Sequence, residues 1–380
     1  MCSAGISLWR QVLGLGDGPQ AVVIRPTIRV GVIGFGFVSK TFHVPLLKAT
    51  DGYKITAVSS SRPGDVSGVL PDVEVVSDPR VLAAHPDIDL VVIASPNETH
   101  APLAEAAMRA GRNVVVDKPF TITVDEARHL ATIAREKDVV LSVFQNRRWD
   151  SDFLTVQDAI RQDLLGKIVL FESRIDRYRP EVRDRWREVP GPGAGLLYDL
   201  GPHLIDQTLV LFGIPDSVQA TLAKQRRGAK TDDFFQLVLR YGEMVATLGA
   251  GSLVSGGSAR FSVHGDRASV VKQKPDIQED QLRAGVLPGA ADWGLDPDDA
   301  VLYEGTTGDT RVLKTARGDQ RGYYVTLREA LLGRAPNPVP PEQGATVMAI
   351  IEGGLRSEEE GRRLAPDLTE EERSAWAATP

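Results

Sequence analysis

The sequence predicts an α/β protein in two parts: a doubly wound parallel sheet over residues 27–148, then an α+β domain over 149–366 built on a largely antiparallel sheet. Three observations carry this reading. Short apolar runs alternate with helical patterns in the first part; a Gly34-Phe35-Gly36 turn follows directly on the first run; and after Trp149 the rhythm changes to strand-like runs split by Gly- and Pro-rich connections. Residues 1–26 read as an N-terminal extension and 367–380 as a tail.

In the first part the apolar runs are Ile28–Ile33, 55–58, 90–94, 114–116 and 139–143. Several lack polar alternation, which suits strands covered by helices on both faces. Between them, 102–110 and Val124–Lys137 are rich in Ala, Leu, Glu and Arg at helical spacing, and Asp125 and Glu126 sit where negative charge favours a helix start. In the second part a helix over 153–161 precedes strand-like runs at 168–175, 218–223, Phe234–Tyr241, 244–248 and 259–263. A helix over 197–212 is inserted before most of these, and 323–332 and 346–360 read as helices split by the Pro-rich loop 336–341.

A chain of 380 residues is long enough for two domains with cores of their own. A net charge of -7 argues against nucleic acid as the main ligand. The single cysteine, Cys2, allows no internal disulfide and fits a reducing compartment. No apolar run approaches the ~20 residues of a membrane span. Glycines interrupt the apolar stretch of 1–26 and no twin arginine occurs there, so a secretion signal is not expected and a cytoplasmic protein is.

Gly34 and Gly36 after a strand match a dinucleotide-binding turn. The first glycine permits the turn, the second lets the backbone approach a pyrophosphate, and Phe37 and Val38 open the helix on which the phosphates sit. Ser39 stands at the third fingerprint position in place of glycine. At the end of the second run, where an NAD enzyme carries an acidic residue for the ribose hydroxyls, the chain has Ser59-Ser60-Ser61-Arg62. Hydroxyls and a guanidinium at Ser60, Ser61 and Arg62 suit a 2′-phosphate, and no carboxylate is expected there to repel it, since Asp65 comes only beyond Pro63-Gly64; NADP is therefore expected, with NAD possible. A solvated loop charge is the plainer alternative for Arg62. The next run ends in Ser95-Pro96-Asn97-Glu98-Thr99-His100 at the carboxyl edge of the sheet, where ligands bind in such folds. Ser95, Pro96 and Asn97 are candidates for the nicotinamide side; Asn97 could instead cap a helix, and His100 could be a packing histidine at this edge.

Lys118 follows the 114–116 run, read as the fifth strand, at the same edge, between Asp117 and Pro119. A lysine there can stabilise negative charge developing on a substrate oxygen. Asp199 and His203, four apart, share one face of a helix. An imidazole suits proton transfer near neutral pH, and Asp199 can orient it or bind a second hydroxyl. Asp206 is a further possible partner for His203, while Gly193, Gly195 and Gly201 let the chain come close to a ligand. A structural Asp–His pair is the plainer alternative. No third ligand is placed beside them, so no metal is expected. Asn146-Arg147-Arg148-Trp149 stands where the domains meet, and Arg177, Tyr178, Arg179, Arg185 and Trp186 form a second polar-aromatic cluster; either could line a sugar site.

These residues resemble the glucose–fructose oxidoreductase, inositol dehydrogenase and MocA family, closest to its NADP-dependent scyllo-inositol dehydrogenase branch. The matching stretches run from Gly34-Phe35-Gly36 to Lys40-Thr41-Phe42-His43, then Val116-Asp117-Lys118-Pro119-Phe120, Asn146-Arg147-Arg148-Trp149-Asp150, Arg177-Tyr178-Arg179-Pro180, Arg185-Trp186-Arg187-Glu188 and Tyr198-Asp199-Leu200-Gly201-Pro202-His203. The resemblance implies a Rossmann domain followed by a large, open, mostly antiparallel sheet, one face of which commonly forms a dimer interface. It implies Lys118 as the catalytic lysine and Asp199 with His203 as the substrate-contacting and proton-transferring pair. Asp117 replaces the usual glutamate, and Gln145 stands where close relatives tend to have histidine.

The expected chemistry is reversible NADP-linked oxidation of a secondary alcohol on a sugar or cyclic polyol. Lys118, Asp199 and His203 would act on substrate, with Asn146, Arg147 and Tyr178 contributing to its binding, and Asp117 and His100 to the cofactor side. Two alternatives stay open: a non-catalytic sensor of nucleotide or sugar, and a reductase of an aldehyde, imine or bilin-like double bond. The expected partners are a small-molecule substrate and further copies of the chain, with neither nucleic acid nor membrane.

Overall fold

The computed structural model describes residues 27–183 and 188–377. The expectations for 1–26 and for Arg185 and Trp186 therefore lie outside the described residues.

Six strands form the first sheet: β1 (Ile28–Ile33), β2 (Tyr53–Ser59), β3 (Glu74–Val76), β4 (Leu90–Ile93), β5 (Asn113–Asp117) and β6 (Leu141–Phe144). All pair in parallel in the order β3-β2-β1-β4-β5-β6. Every residue of β4 and β6 is buried, because helices cover both faces; this is why these strands read as unbroken apolar runs. The strand order reverses between β1 and β4, and the carboxyl ends of the strands there open the crevice in which such sheets bind ligands. The Val124–Lys137 helix opens with a full capping box, Thr123 accepting from the Glu126 amide and Glu126 accepting from Thr123.

The second sheet comprises β7 (Ile168–Arg174), β8 (Ser217–Ala223), β9 (Phe234–Tyr241), β10 (Met244–Gly251), β11 (Phe261–Gly265), β12 (Ala268–Lys272), β13 (Ala300–Glu304) and β14 (Thr310–Leu313). Their order is β14-β13-β12-β11-β7-β10-β9-β8, antiparallel except for the β7–β10 pair. Alternation is plain in β9, where Phe235, Leu237 and Leu239 are buried and their neighbours are half-exposed. The Leu196–Phe212 helix packs against the inner face of β9 and β10. The opposite face of the sheet carries Val238, Val245, Val301, Tyr303 and Val312, over which the described residues place no covering layer.

Several boundaries differ from the sequence reading. The helix expected at 346–360 starts earlier, at Pro341, because proline is suited to the first helical turn. Strands β12, β13 and β14 and the three-residue β3 were not expected; β14 is exposed along most of its length and lacks any apolar periodicity. The tail also folds: Glu370–Ala377 is a helix, held by Arg128 donating to buried Glu372 at 2.8 Å and by buried Trp376.

Candidate active site

The glycine turn has the conformation its sequence demands. Gly34 has φ +91°, and a Cβ there would lie 2.6 Å from the Ala94 carbonyl oxygen. A Cβ on Gly36 would meet nothing within 4 Å, which leaves that backbone open to a pyrophosphate. Ser39 at the third position turns its hydroxyl inward and donates to the Gly34 carbonyl at 2.6 Å, closing the turn that a glycine would otherwise leave unbraced. Phe37 is exposed, Val38 half-buried.

At the end of β2, Ser60, Ser61 and Arg62 form a solvent-facing corner, and the Ser60 hydroxyl accepts from the Arg62 amide at 3.0 Å. Here the sequence reading needs correcting: a carboxylate does stand at this corner. Asp65 lies 3.5 Å from the Arg62 guanidinium and 3.0 Å from Lys40. The Lys40 hydrogen bond holds the Asp65 carboxyl below its usual range. Lys40, which sequence reasoning did not single out, thus adds a second cation, leaving the corner with two positive charges against one negative.

Beyond β4, Asn97 is buried and donates to the Gly193 carbonyl at 3.0 Å. It neither caps a helix nor stands open; it ties the first domain to the loop leading into the Leu196–Phe212 helix. His100 is fully packed, its ring nitrogens against the Pro119 and Ser95 carbonyls at 2.9 and 3.0 Å. Burial lowers its pKa, so the neutral ring donates to one of these carbonyls and braces the two turns from behind. Ser95 and Pro96 remain at the carboxyl edge, on the rim of the crevice.

Lys118 lies at the same edge and reaches across to the second domain. Its ammonium donates to the Asp199 backbone carbonyl at 2.7 Å and lies 3.4 Å from the Asp199 carboxylate. Asp117 is buried, with His43 3.5 Å away, and His43 in turn meets the Tyr324 hydroxyl at 2.7 Å. Burial acts to raise the Asp117 pKa but is outweighed by His43, Lys118 and His100, so its carboxyl stays below the usual range.

The Leu196–Phe212 helix begins after Gly195, whose φ of +95° only glycine adopts readily and where a Cβ would run into the Asp232 carboxylate. The three glycines serve internal packing: Gly193 approaches Asn97, Gly195 approaches Asp232, and Gly201 lies under Leu197. Asp199 sits in the first helical turn, a favourable place for a carboxylate. His203, one turn on, is 4 % exposed, and its Nδ1 is buried with no hydrogen-bond partner among the described residues. Burial, reinforced by Lys118, Arg147, Arg260 and Arg177, pushes its pKa well below the ordinary value. Asp206 is not its partner. That carboxylate is spent on Arg148, which donates to it at 2.8 and 2.6 Å.

Asn146 is buried beside Gln145, whose side-chain amide oxygen is also unpartnered among the described residues. Arg147 bridges Asp150 at 3.1 Å and Glu279 at 3.0 Å. Tyr178 is 61 % exposed and points away, since the alternation of an extended segment sends Arg177 and Arg179 inward and the residue between them outward. Arg260, also unforeseen, hydrogen-bonds Gln207 at 2.6 Å and pairs with buried Asp152 at 3.0 Å, within reach of His203. Among the described residues no group of three His, Cys, Asp or Glu side chains is arranged to hold a metal, and no helix is long and apolar enough to cross a membrane.

Residues 28–145 match the oxidoreductase family model described as an NAD-binding Rossmann fold, and residues 157–365 match the same family's C-terminal alpha/beta domain. The chain is 48% identical over 332 residues to the uncharacterized oxidoreductase YdgJ of Escherichia coli, covering 87% of this chain and 96% of that one. It is 40% identical over 342 residues to the NADP(+)-linked scyllo-inositol 2-dehydrogenase IolW of Bacillus subtilis, covering 89% and 96%. A crystal structure of a Klebsiella pneumoniae protein, provisionally described as an oxidoreductase, superposes with TM-score 0.88 at 48% identity, covering 93% of this chain and 99% of that one.

Proposed function

The chain belongs to the Gfo/Idh/MocA family of oxidoreductases with an NAD(P)-binding Rossmann domain, and on that premise we propose that it oxidises, reversibly, a secondary alcohol on a sugar or cyclic polyol, with NADP as the preferred nucleotide. The observation that carries this reading is the convergence of Lys118 from one domain with Asp199 and His203 from the other, beside a buried imidazole nitrogen that nothing in the described chain satisfies. A buried polar atom left without a partner is uncommon enough to ask for a ligand.

The residues present fit a nicotinamide dinucleotide. The open backbone at Gly36 would receive the pyrophosphate, and Ser60, Arg62 and Lys40 the 2′-phosphate end. When bound, that cofactor supplies the hydride acceptor. Lys118, held by the Asp199 carbonyl, donates a hydrogen bond to the substrate oxygen and opposes its protonation as the C–H bond breaks. His203 is kept neutral by burial and its cationic neighbours, so it is ready to take the hydroxyl proton; in the reductive direction it returns it. The uncovered face of the eight-stranded sheet, with Tyr303 and Val312 exposed, supports assembly with a second copy.

Initial rates with a panel of sugars and cyclic polyols, run with each nucleotide in both directions, test the reading. Turnover with NADP ahead of NAD is expected. Binding of nucleotide without turnover of any member would overturn it in favour of a sensor.

A further inference from the structure

Beside the reacting centre lies a cavity of ≈ 390 Å³ whose walls carry seven arginine or lysine side chains against four carboxylates. Asp150 and Asp152 pair with Arg147 and Arg260 from behind the wall, and with them counted the cations still outnumber these carboxylates, seven to six, in a chain of net charge -7. Three of the lining arginines, Arg147, Arg177 and Arg260, are also the ones that act on His203, so the cavity and the imidazole share a wall. A surplus of positive charge around a buried histidine makes its protonated form costly and, equally, lowers the cost of bringing an anion alongside.

Some of these cations are already neutralised. Arg174 pairs with Asp176 at 2.7 Å, Arg147 with Asp150 and Glu279, and Arg260 with Asp152. Two on the rim are not. Lys274 has no carboxylate within 4.0 Å of its ammonium among the described residues; its backbone amide, not its side chain, meets Asp298. Among carboxylates Arg283 has only Glu279, 3.9 Å away and already engaged by Arg147 at 3.0 Å; its guanidinium also lies 5.9 Å from the centre of the Phe37 ring. Both residues are exposed at the mouth of the cavity. A neutral polyol would need hydroxyl acceptors and donors here and would leave this charge uncompensated.

We propose that the substrate is an anionic polyhydroxylated compound, a sugar carrying a carboxylate or a phosphate ester, whose charged group is received by Lys274 and Arg283 while its reacting carbon lies at His203. The inference rests on the proposed function above and narrows its substrate class. Lysine and arginine both accept either anion, so the structure assigns the charge and the assay identifies the group.

The test uses the full chain loaded with nucleotide and matched pairs of compounds: an aldonic acid, a uronic acid and a sugar phosphate, each against its neutral parent. The anionic members should show kcat/KM at least about tenfold above their parents, with the advantage shrinking as salt rises. Lys274→Ala and Arg283→Ala should raise KM for the favoured anion by about tenfold to hundredfold, with kcat and NADP affinity nearly unchanged. Comparing acids with phosphates identifies which anion fits. Equal or better turnover of the neutral parents would overturn the inference while leaving the proposed function standing. So would loss of NADP affinity in the two variants in place of the KM effect, since the charge would then serve the cofactor. If no compound is turned over in either direction, the proposed function falls. Calorimetric titration of the nucleotide-loaded protein with the same pairs then decides the cavity's role on its own, and binding indifferent to the anionic group would overturn it.

Discussion

Replacing His203 by alanine isolates the proposed acid–base group with little damage to the fold. The imidazole is buried, yet its Nδ1 has no partner among the described residues, so its removal strands no hydrogen-bonding neighbour there. The cost to stability is therefore confined to a small cavity, on the order of 1–3 kcal/mol. Catalysis should suffer more. A positioned general base is worth about 10²–10⁴ in rate, or ~2.7–5.5 kcal/mol at 1.36 kcal/mol per tenfold. Burial and four nearby cations push the His203 pKa down, so in the wild-type enzyme the acidic limb of kcat/KM for oxidation should lie below the ordinary histidine value of about 6.5. In His203→Ala that limb should vanish along with most of the rate, while nucleotide binding by fluorescence titration is retained. Turnover within about threefold of wild type, or an unchanged acidic limb in the variant, would refute the assignment.

Other consequences can be measured on the same protein. Arg62→Ala should weaken NADP binding by about tenfold or more with NAD nearly unaffected, and Ser60→Asp should shift preference toward NAD; equal loss of both nucleotides on titration would remove the 2′-phosphate role. Asp206→Ala should cost about 3–5 kcal/mol in denaturant unfolding, because it leaves the Arg148 guanidinium buried without its carboxylate; a loss below ~1 kcal/mol would mean the pair is not closed in solution. Acid should also destabilise the fold through His203. Its folded-state pKa is below the unfolded value, so the unfolded chain binds the extra proton between the two, and stability falls as pH drops from about 6.5 toward the folded pKa. His203→Gln should flatten that part of the stability–pH curve; an identical curve would show that His203 is not buried neutral.

Elements whose signals are local were legible in the chain itself. β1, β9 and the Val124–Lys137 helix have the ends their patterns suggest: burial interrupted only at Arg29 for the first, alternation for the second, and a Thr123/Glu126 capping box for the third. Gly34, Lys118, Asp199 and His203 were visible because each sits at a strand end or on a helical repeat that dictates where its side chain goes. What escaped depends on distant segments. Asp65 reaches Arg62 and Lys40 through a fold of the chain after β2, so its separation by Pro63 and Gly64 was misleading. Arg260, Lys274 and Arg283 reach the cavity from β11 and the stretch after β12, and nothing in their own neighbourhoods marks them. Asp206 has the right spacing to serve His203, yet a guanidinium from the preceding domain boundary claims it, and only tertiary structure decides between two partners of similar reach.

The polar residues around His203 do two separable things. Arg148–Asp206, Arg147–Asp150 and Arg260–Asp152 are ion pairs withdrawn from water, and such pairs contribute little net stability because desolvation offsets their attraction. Their geometric effect is larger. They join the Asn146–Trp149 turn, the Ser151–Arg161 helix, the Leu196–Phe212 helix and the start of β11, which are the elements that place His203 opposite Lys118. Two of these cations, Arg147 and Arg260, act on the imidazole together with Lys118 and Arg177, in a medium that screens poorly, where a charge is felt far more strongly than in water. Histidine alone would be half protonated near pH 6.5 and would meet an alcohol as an acid as often as a base. Surrounded in this way it is held neutral below that pH, and in the proposed reaction Lys118, fixed on the Asp199 carbonyl, would present a further donor to the substrate oxygen. The proposed division of labour between the two groups would thus be set by the cationic frame around them as much as by their own identities.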